Sequence, residues 1–214
     1  MIYLLALLIA LLSYMYGCFS TARIVAKSAR SLNIFKIGTG FADTENIYCN
    51  VSKPMGVLVG ALDVVKAMLY LAVVESVLRF CEPMMTLEGL DLLYSANFML
   101  IYGLAMLVGH TLPITHGYRG GRGIFTYIGF VAYFAFLPML VTVVLAWLIV
   151  LIYKQIRFAQ YLIVILPVIL TQVFFSFIPW FRRELPPHFV TILLGISLLM
   201  GILNFIVSKK LGEI

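Results

Sequence analysis

A chain of 214 residues that is 63% hydrophobic and 11% charged lacks the polar coat of a water-soluble domain, which averages about 45–50% apolar and about 25% charged residues. Its 15 Lys+Arg and 9 Asp+Glu are too few to cover a compact fold of this size. A mean hydropathy of +1.08 agrees with an all-α integral membrane protein, one polytopic domain over residues 1–214. The net charge of +6 would suggest nucleic acid in a soluble protein. Here it reads as the Lys and Arg enrichment of cytoplasmic loops, and no nucleic-acid partner is expected. Cys18, Cys49 and Cys81 are odd in number and far apart, with no CxxC pair, so neither a disulfide framework nor a zinc site is expected.

The N-terminal apolar stretch has neither the positive start nor the small-residue cleavage site of a signal peptide and reads as a retained transmembrane helix. A bilayer core of ~30 Å needs about 20 apolar residues as helix. Expected spans are 2–19, 55–78, 92–112, 124–136, 138–153, 158–178 and 189–207. The fourth and fifth are separated at Leu137-Pro138, because proline blocks helix continuation; merging them would leave six spans. With the N-terminus outside, the inner segments hold Arg23, Lys27, Arg30, Lys36, Lys53, Arg119, Arg122, Lys154, Arg157, Lys209 and Lys210. The outer ones hold only Arg79, Arg182 and Arg183, and the outer loop 81–91 carries Glu82, Glu88 and Asp91. This asymmetry favours seven spans and a cytoplasmic C-terminus.

The strongest local signal is Gly109-His110-Thr111-Leu112-Pro113 followed by Arg119-Gly120-Gly121-Arg122-Gly123. Three glycines in four residues let backbone N–H groups approach an anion, the next helix begins near Ile124 with its positive dipole end there, and Arg119 and Arg122 can pair with phosphate oxygens. The alternative is a flexible turn whose arginines meet lipid headgroups. His110 is either a hydrogen-bonded structural residue or a donor to a phosphate, and with His116 it has no third ligand for a metal. The long first loop, 20–54, carries Lys36-Ile37-Gly38-Thr39-Gly40 and Asn46, a further N–H nest or a plain turn. Asp63 and Lys66 lie inside the second span on one helix face, as a structural ion pair or a substrate-facing one. Gly56 and Gly60 form a GxxxG that signals close helix packing.

Together, Asn33-Ile34-Phe35-Lys36-Ile37-Gly38-Thr39-Gly40 with Asn46, Leu62-Asp63-Val64-Val65-Lys66 and the two glycine motifs of residues 109–123 resemble, in order and spacing from about residue 16 to 129, the bacterial membrane glycerol-3-phosphate acyltransferases that use acyl phosphate as donor. The resemblance implies seven spans with the N-terminus outside, in the bacterial cytoplasmic membrane. It implies acyl transfer from acyl phosphate to glycerol 3-phosphate, giving lysophosphatidate, with no cofactor or metal. By the same resemblance Thr39 and His110 are catalytic. Lys36, Gly38, Gly40, Asn46, Asp63, Lys66, Arg119, Gly120, Gly121, Arg122 and Gly123 bind substrate. Departures from the family pattern are Asn33, Phe35, Thr39 in place of a Ser, Phe41, Asp43 and Cys49, and the C-terminal family motif is reduced to Asn204 and Glu213, with Gly201 where a His belongs. The loss of guanidiniums and the gain of Asp43 and Glu45 weaken attraction for a dianion. Two other readings stand beside it: a non-catalytic descendant that binds an anionic lipid or a membrane-protein partner, and a transporter, against which the absence of paired broken helices argues.

Overall fold

The computed structural model describes residues 1–84, 89–178 and 188–210; Glu88, Arg182, Arg183 and Glu213 lie outside them. The described residues contain nine α-helices and no strand: α1 Ile2–Gly17, α2 Thr21–Arg30, α3 Thr44–Asn50, α4 Lys53–Cys81, α5 Ala96–Thr111, α6 Ile124–Phe134, α7 Phe136–Tyr153, α8 Ile156–Phe177 and α9 Phe189–Lys210. Short 3-10 turns at Ile34–Lys36, Leu90–Tyr94 and Ile114–His116 punctuate the loops. The chain forms two compact units, Met1–Gly129 and Phe130–Ile214, with the boundary inside α6.

Among the described residues six stretches are long and apolar enough to cross a membrane: Ile2–Ser28, Lys53–Met84, Ala96–His116, Phe136–Tyr153, Ile156–Phe177 and Phe189–Lys209. Their outward faces are aliphatic, as on α1, where Leu4, Leu8 and Leu11 are more than half exposed; in a bilayer these faces meet lipid. The expected span 124–136 becomes α6, whose 11 residues cover about 16 Å at 1.5 Å per residue. The break between α6 and α7 falls at Ala135, not at Leu137-Pro138 as expected. Ala135 leaves the helical region with φ −136° and ψ 65°, and Pro138 sits in the first turn of α7. A proline is tolerated there because first-turn N–H groups have no partner inside the helix.

In the first unit, α1 and α5 meet backbone to backbone. A Cβ on Gly17 would run into the Met106 carbonyl and come within 3.0 Å of the His110 amide nitrogen. A Cβ on Gly109 would run into the Tyr14 carbonyl and come within 3.2 Å of the Cys18 nitrogen. Such an approach is how small residues serve helix pairs in membranes, where dispersion contacts replace the hydrophobic effect. The GxxxG of α4 serves the same end: Gly56 abuts Tyr48 of α3, and Gly60 lies under the Phe125 ring. A core of Ala22, Ala26, Ile34, Ala42, Ile47 and Val59 joins α2, α3 and the first loop to α4. At its C-terminal end α4 carries Arg79, which pairs with Glu75 at 2.8 Å and lies 4.4 Å over the Tyr94 ring. The Tyr94 hydroxyl donates to Glu82 at 2.7 Å.

In the second unit, α7 packs on α8 and α8 on α9. Lys154, at φ 56°, turns the chain between α7 and α8. Phe134 centres an aromatic cluster, 5.7 Å from Phe130 edge-on and 5.5 Å from Phe189. Asn204 is buried and donates to the Met200 carbonyl at 3.0 Å.

Gly109→Val is expected to separate α1 from α5. Overpacking of this kind costs about 3 kcal/mol, the upper end of the usual range, because both opposing atoms are main chain. A thermal-unfolding series on detergent-solubilised protein measures it, and an unchanged midpoint would deny the contact its importance.

Candidate functional site

The turn after α5 folds back on the helix that precedes it. Gly121 N–H donates to the His110 carbonyl at 3.2 Å. Gly120 lies so close that a Cβ would collide with that same carbonyl and stand 2.6 Å from both the Thr111 carbonyl and Pro113 Cδ. A Cβ on Gly121 would stand 3.0 Å from His110 Nε2, 3.0 Å from Asp43 Cβ and 3.3 Å from the Ala42 carbonyl. Gly123, at φ +75°, then feeds the chain into α6. Gly120 leaves no room for a side chain, and at Gly121 a Cβ would fit only if its neighbours gave by a few tenths of an ångström, which is the physical content of the Gly-Gly pair.

Asp43 is there for a local reason. Its carboxylate accepts the Asn46 N–H at 2.8 Å and caps the N-terminus of α3, as Asp does at such positions. Two residues on, Glu45 Oε2 lies 3.4 Å from Arg122 Nε. Arg122 is 5% exposed and Glu45 26%, so a largely buried guanidinium has a half-buried carboxylate as its counter-ion. His110, buried in the last turn of α5, completes the group. Segments around residues 43–45, 110 and 120–122 therefore converge on one place.

The rest of the first loop is held by one side chain. Asn46, fully buried, donates through Nδ2 to the carbonyls of Ile37 and Phe41 at 2.9 Å each, and more weakly to Ile34 at 3.4 Å. Its Oδ1 accepts from Asn50 Nδ2 at 2.9 Å. Gly38, at φ +52°, packs directly on the Asn46 and Asn50 side chains. Gly40 is also in the left-handed region. Thr39 is half-buried, and its Oγ1 accepts from the Phe41 N–H at 3.4 Å. Asn46 thus shapes the loop with its own amide, while Lys36 and Arg119 are exposed.

Asp63 and Lys66 pair within α4, and the charges of both act on the buried His110. Their charged atoms are 3.6 Å apart, at side-chain exposures of 2% and 8%. Thr21 donates to Asp63, and Lys66 donates to the Phe19 carbonyl at 2.8 Å. Tyr16 stacks on Tyr70 with centroids 4.3 Å apart and lies 5.9 Å from the Lys66 ammonium. The pair clamps α4 to the joint between α1 and α2. Buried ions require such partners, since each pays a desolvation penalty. Sequence reasoning gave Thr21 no site role and read Asp43 and Glu45 only as acids that weaken attraction for a dianion. The spacing of Asp43 to Asn46 is the recognisable mark of a helix cap; the other two contacts leave no local signature. Among the described residues no group of three His, Cys, Asp or Glu side chains gathers closely enough to hold a metal.

The family model for glycerol-3-phosphate acyltransferase matches residues 7–209. A glycerol-3-phosphate acyltransferase of Shouchella clausii (strain KSM-K16) is 28% identical over 209 residues, covering 95% of this chain and 94% of that one. One from Clostridioides difficile (strain 630) is 30% identical over 123 residues, 58% of this chain and 55% of its own length. In fold, the chain is similar to the crystal structure of PlsY (YgiH), an integral membrane glycerol 3-phosphate acyltransferase, in its glycerol 3-phosphate form. The TM-score is 0.68 at 22% identity, over 96% of this chain and 88% of that one.

Asn46→Ala removes the donor that three loop carbonyls share. Leaving buried groups unpaired costs about 1–3 kcal/mol. Limited proteolysis is expected to cut within residues 34–43 much faster than in wild type while helix content by circular dichroism is kept. Equal cutting rates would show the loop to be held by something else.

Proposed function

Because the chain belongs to the glycerol-3-phosphate acyltransferase family, we propose that it moves an acyl chain from an acyl phosphate to the 1-hydroxyl of glycerol 3-phosphate. The hydroxyl oxygen attacks the acyl carbonyl carbon, and the bond from that carbon to the phosphate oxygen breaks. The hydroxyl proton ends on the released phosphate, and lysophosphatidate is the other product. In this reading Gly120, Gly121, Arg122 and Gly123 cradle the donor phosphate, with His110 donating to it. Thr39 and Lys36 meet the acceptor. Arg119 adds charge at the entrance, and Gly38, Gly40, Asn46, Asp63 and Lys66 hold the walls. Catalysis of this kind rests on positioning and on stabilising negative charge as it develops.

The observation that carries the reading is the meeting of a bare Gly-Gly backbone, the His110 ring and the Arg122 guanidinium in one cluster. Glu45 modifies it. A carboxylate beside Arg122 stands in for an anion and competes with substrate phosphate for the same guanidinium. Purified protein given palmitoyl phosphate and glycerol 3-phosphate is expected to release phosphate, and Arg122→Ala to abolish the release. Glu45→Gln is expected to lower the KM for palmitoyl phosphate about fivefold, the equivalent of ~1 kcal/mol of ion pairing. No release by wild type at any enzyme concentration, with acidic lipid still bound, would replace acyl transfer by a purely binding role.

For topology, the loop charges support an N-terminus outside and a C-terminus in the cytoplasm of a bacterium, with seven crossings in one polytopic domain. The seventh crossing is α6. A helix this short crosses only where protein surrounds it, and Tyr127 and Phe130 on α6 are fully buried. With Cys18, Cys49 and Cys81 replaced by serine, Lys154→Cys is expected to resist a membrane-impermeant maleimide in intact cells and to react after permeabilisation. Labelling of intact cells would reduce the crossings to six.

A further inference from the structure

Helix α2 has two faces. Ala22 and Ala26 are buried in the core of the first unit, while Arg23 and Lys27, also four residues apart, are exposed. Residues at this spacing share one face of a helix. Arg23 and Lys27 line two neighbouring cavities, of about 460 Å3 and about 330 Å3, and His116 lines both as well. Arg23 Nη1 bonds the His116 Nε2, whose Nδ1 lies 2.7 Å from the Thr115 hydroxyl. The Phe35 ring packs 5.7 Å from the imidazole. The guanidinium is thereby oriented through one of its five N–H donors, and the others remain for a ligand. Among the described residues no carboxylate lines either cavity. The larger cavity is apolar on its other side, where Met15, Phe19 and Ile24 are 41–56% exposed on the surface continuous with α1.

Two cations without a facing acid, next to an apolar wall at the end of a membrane-crossing stretch, fit one ligand chemistry: a phosphate group attached to a hydrocarbon chain. We propose that the Arg23–Lys27–His116 cavity binds the headgroup of an anionic membrane phospholipid, with a phosphate monoester as the preferred group and the acyl chain along Met15 and Phe19. Guanidinium forks match phosphate oxygens in a way lone surface charges do not. The site shares no lining residue with the Gly120–Gly123 turn or with Arg122, so it stands whether or not the protein catalyses acyl transfer.

Native mass spectrometry of the full chain in non-ionic detergent tests it, with dioleoyl phosphatidate and dioleoyl phosphatidylcholine as competing probes. Wild type is expected to retain phosphatidate over phosphatidylcholine, and Arg23→Gln/Lys27→Gln to reduce that retention at least tenfold. Lys154→Gln, which removes an exposed cation of the second unit, is expected to leave it unchanged. Ile24→Glu, which brings a carboxylate to the cavity wall, is expected to reproduce the loss, so that the result does not hang on one variant's folding. Equal retention in the double variant, or equal loss in Lys154→Gln, would overturn the proposal. Loss in Arg122→Ala with retention in the double variant would move the lipid to the glycine turn and overturn it too. Inorganic phosphate that displaces phosphatidate at equal concentration would show that the chain contributes nothing and that the ligand is a free anion.

Discussion

The closest constraint in the first unit is steric. Gly17 and Gly109 bring the backbones of α1 and α5 to a distance that no side chain permits, and His110 follows Gly109 directly. The crossing therefore fixes the end of α5, and the end of α5 fixes the turn, because Gly121 bonds the His110 carbonyl. A site made from residues more than seventy positions apart owes its geometry to two missing β-carbons. In lipid, where neighbouring helices gain little from hydrophobic burial, contact of this kind is a main source of helix association.

Charge supplies the second layer. The buried and half-buried ions of the first unit occur as neutralised pairs, Asp63 with Lys66 and Glu45 with Arg122, and Asp43 spends its carboxylate on a helix cap. The pairs differ in use. Asp63 and Lys66 are bonded by Thr21 and the Phe19 carbonyl and lock α4 to α2 and to the joint that precedes it. Glu45 is partly open to solvent, so the Arg122 pair is the less enclosed of the two. Asp43 and Glu45, one aspartate and one glutamate that a linear reading takes as weakening attraction for a dianion, are thus a helix cap and the counter-ion of Arg122.

Much of this was legible in the chain. Hydropathy found the apolar stretches because a bilayer admits little else, and six of them form helices long enough to cross it. The motifs around Gly38, Asp63, His110 and Gly120 carried the family. What failed was local. Pro138 drew the expected break two residues too far along, since its missing N–H is harmless in a first turn. The turn at Ala135 has no residue that announces it. A role that linear order does not announce is that of Asn46, whose amide is bonded on both its atoms to the first loop and its flanking helix. Thr21 with Asp63 and Glu45 with Arg122 are pairings across 42 and 77 positions, which only the packed helices reveal.

The length of α4 has a consequence of its own. Its 29 residues extend about 44 Å at 1.5 Å per residue, against a hydrocarbon thickness of ~30 Å. Tilting alone would have to be steeper than the usual range of about 0–40° to absorb the excess. At least one end must project past the hydrocarbon, and the cluster of Arg79, Glu75, Tyr94 and Glu82 marks the C-terminal one as fit for the headgroup zone, where aromatic rings and ion pairs are at home. A thicker bilayer would take up part of that excess and let α4 stand more upright, so the helix tolerates thickening better than thinning.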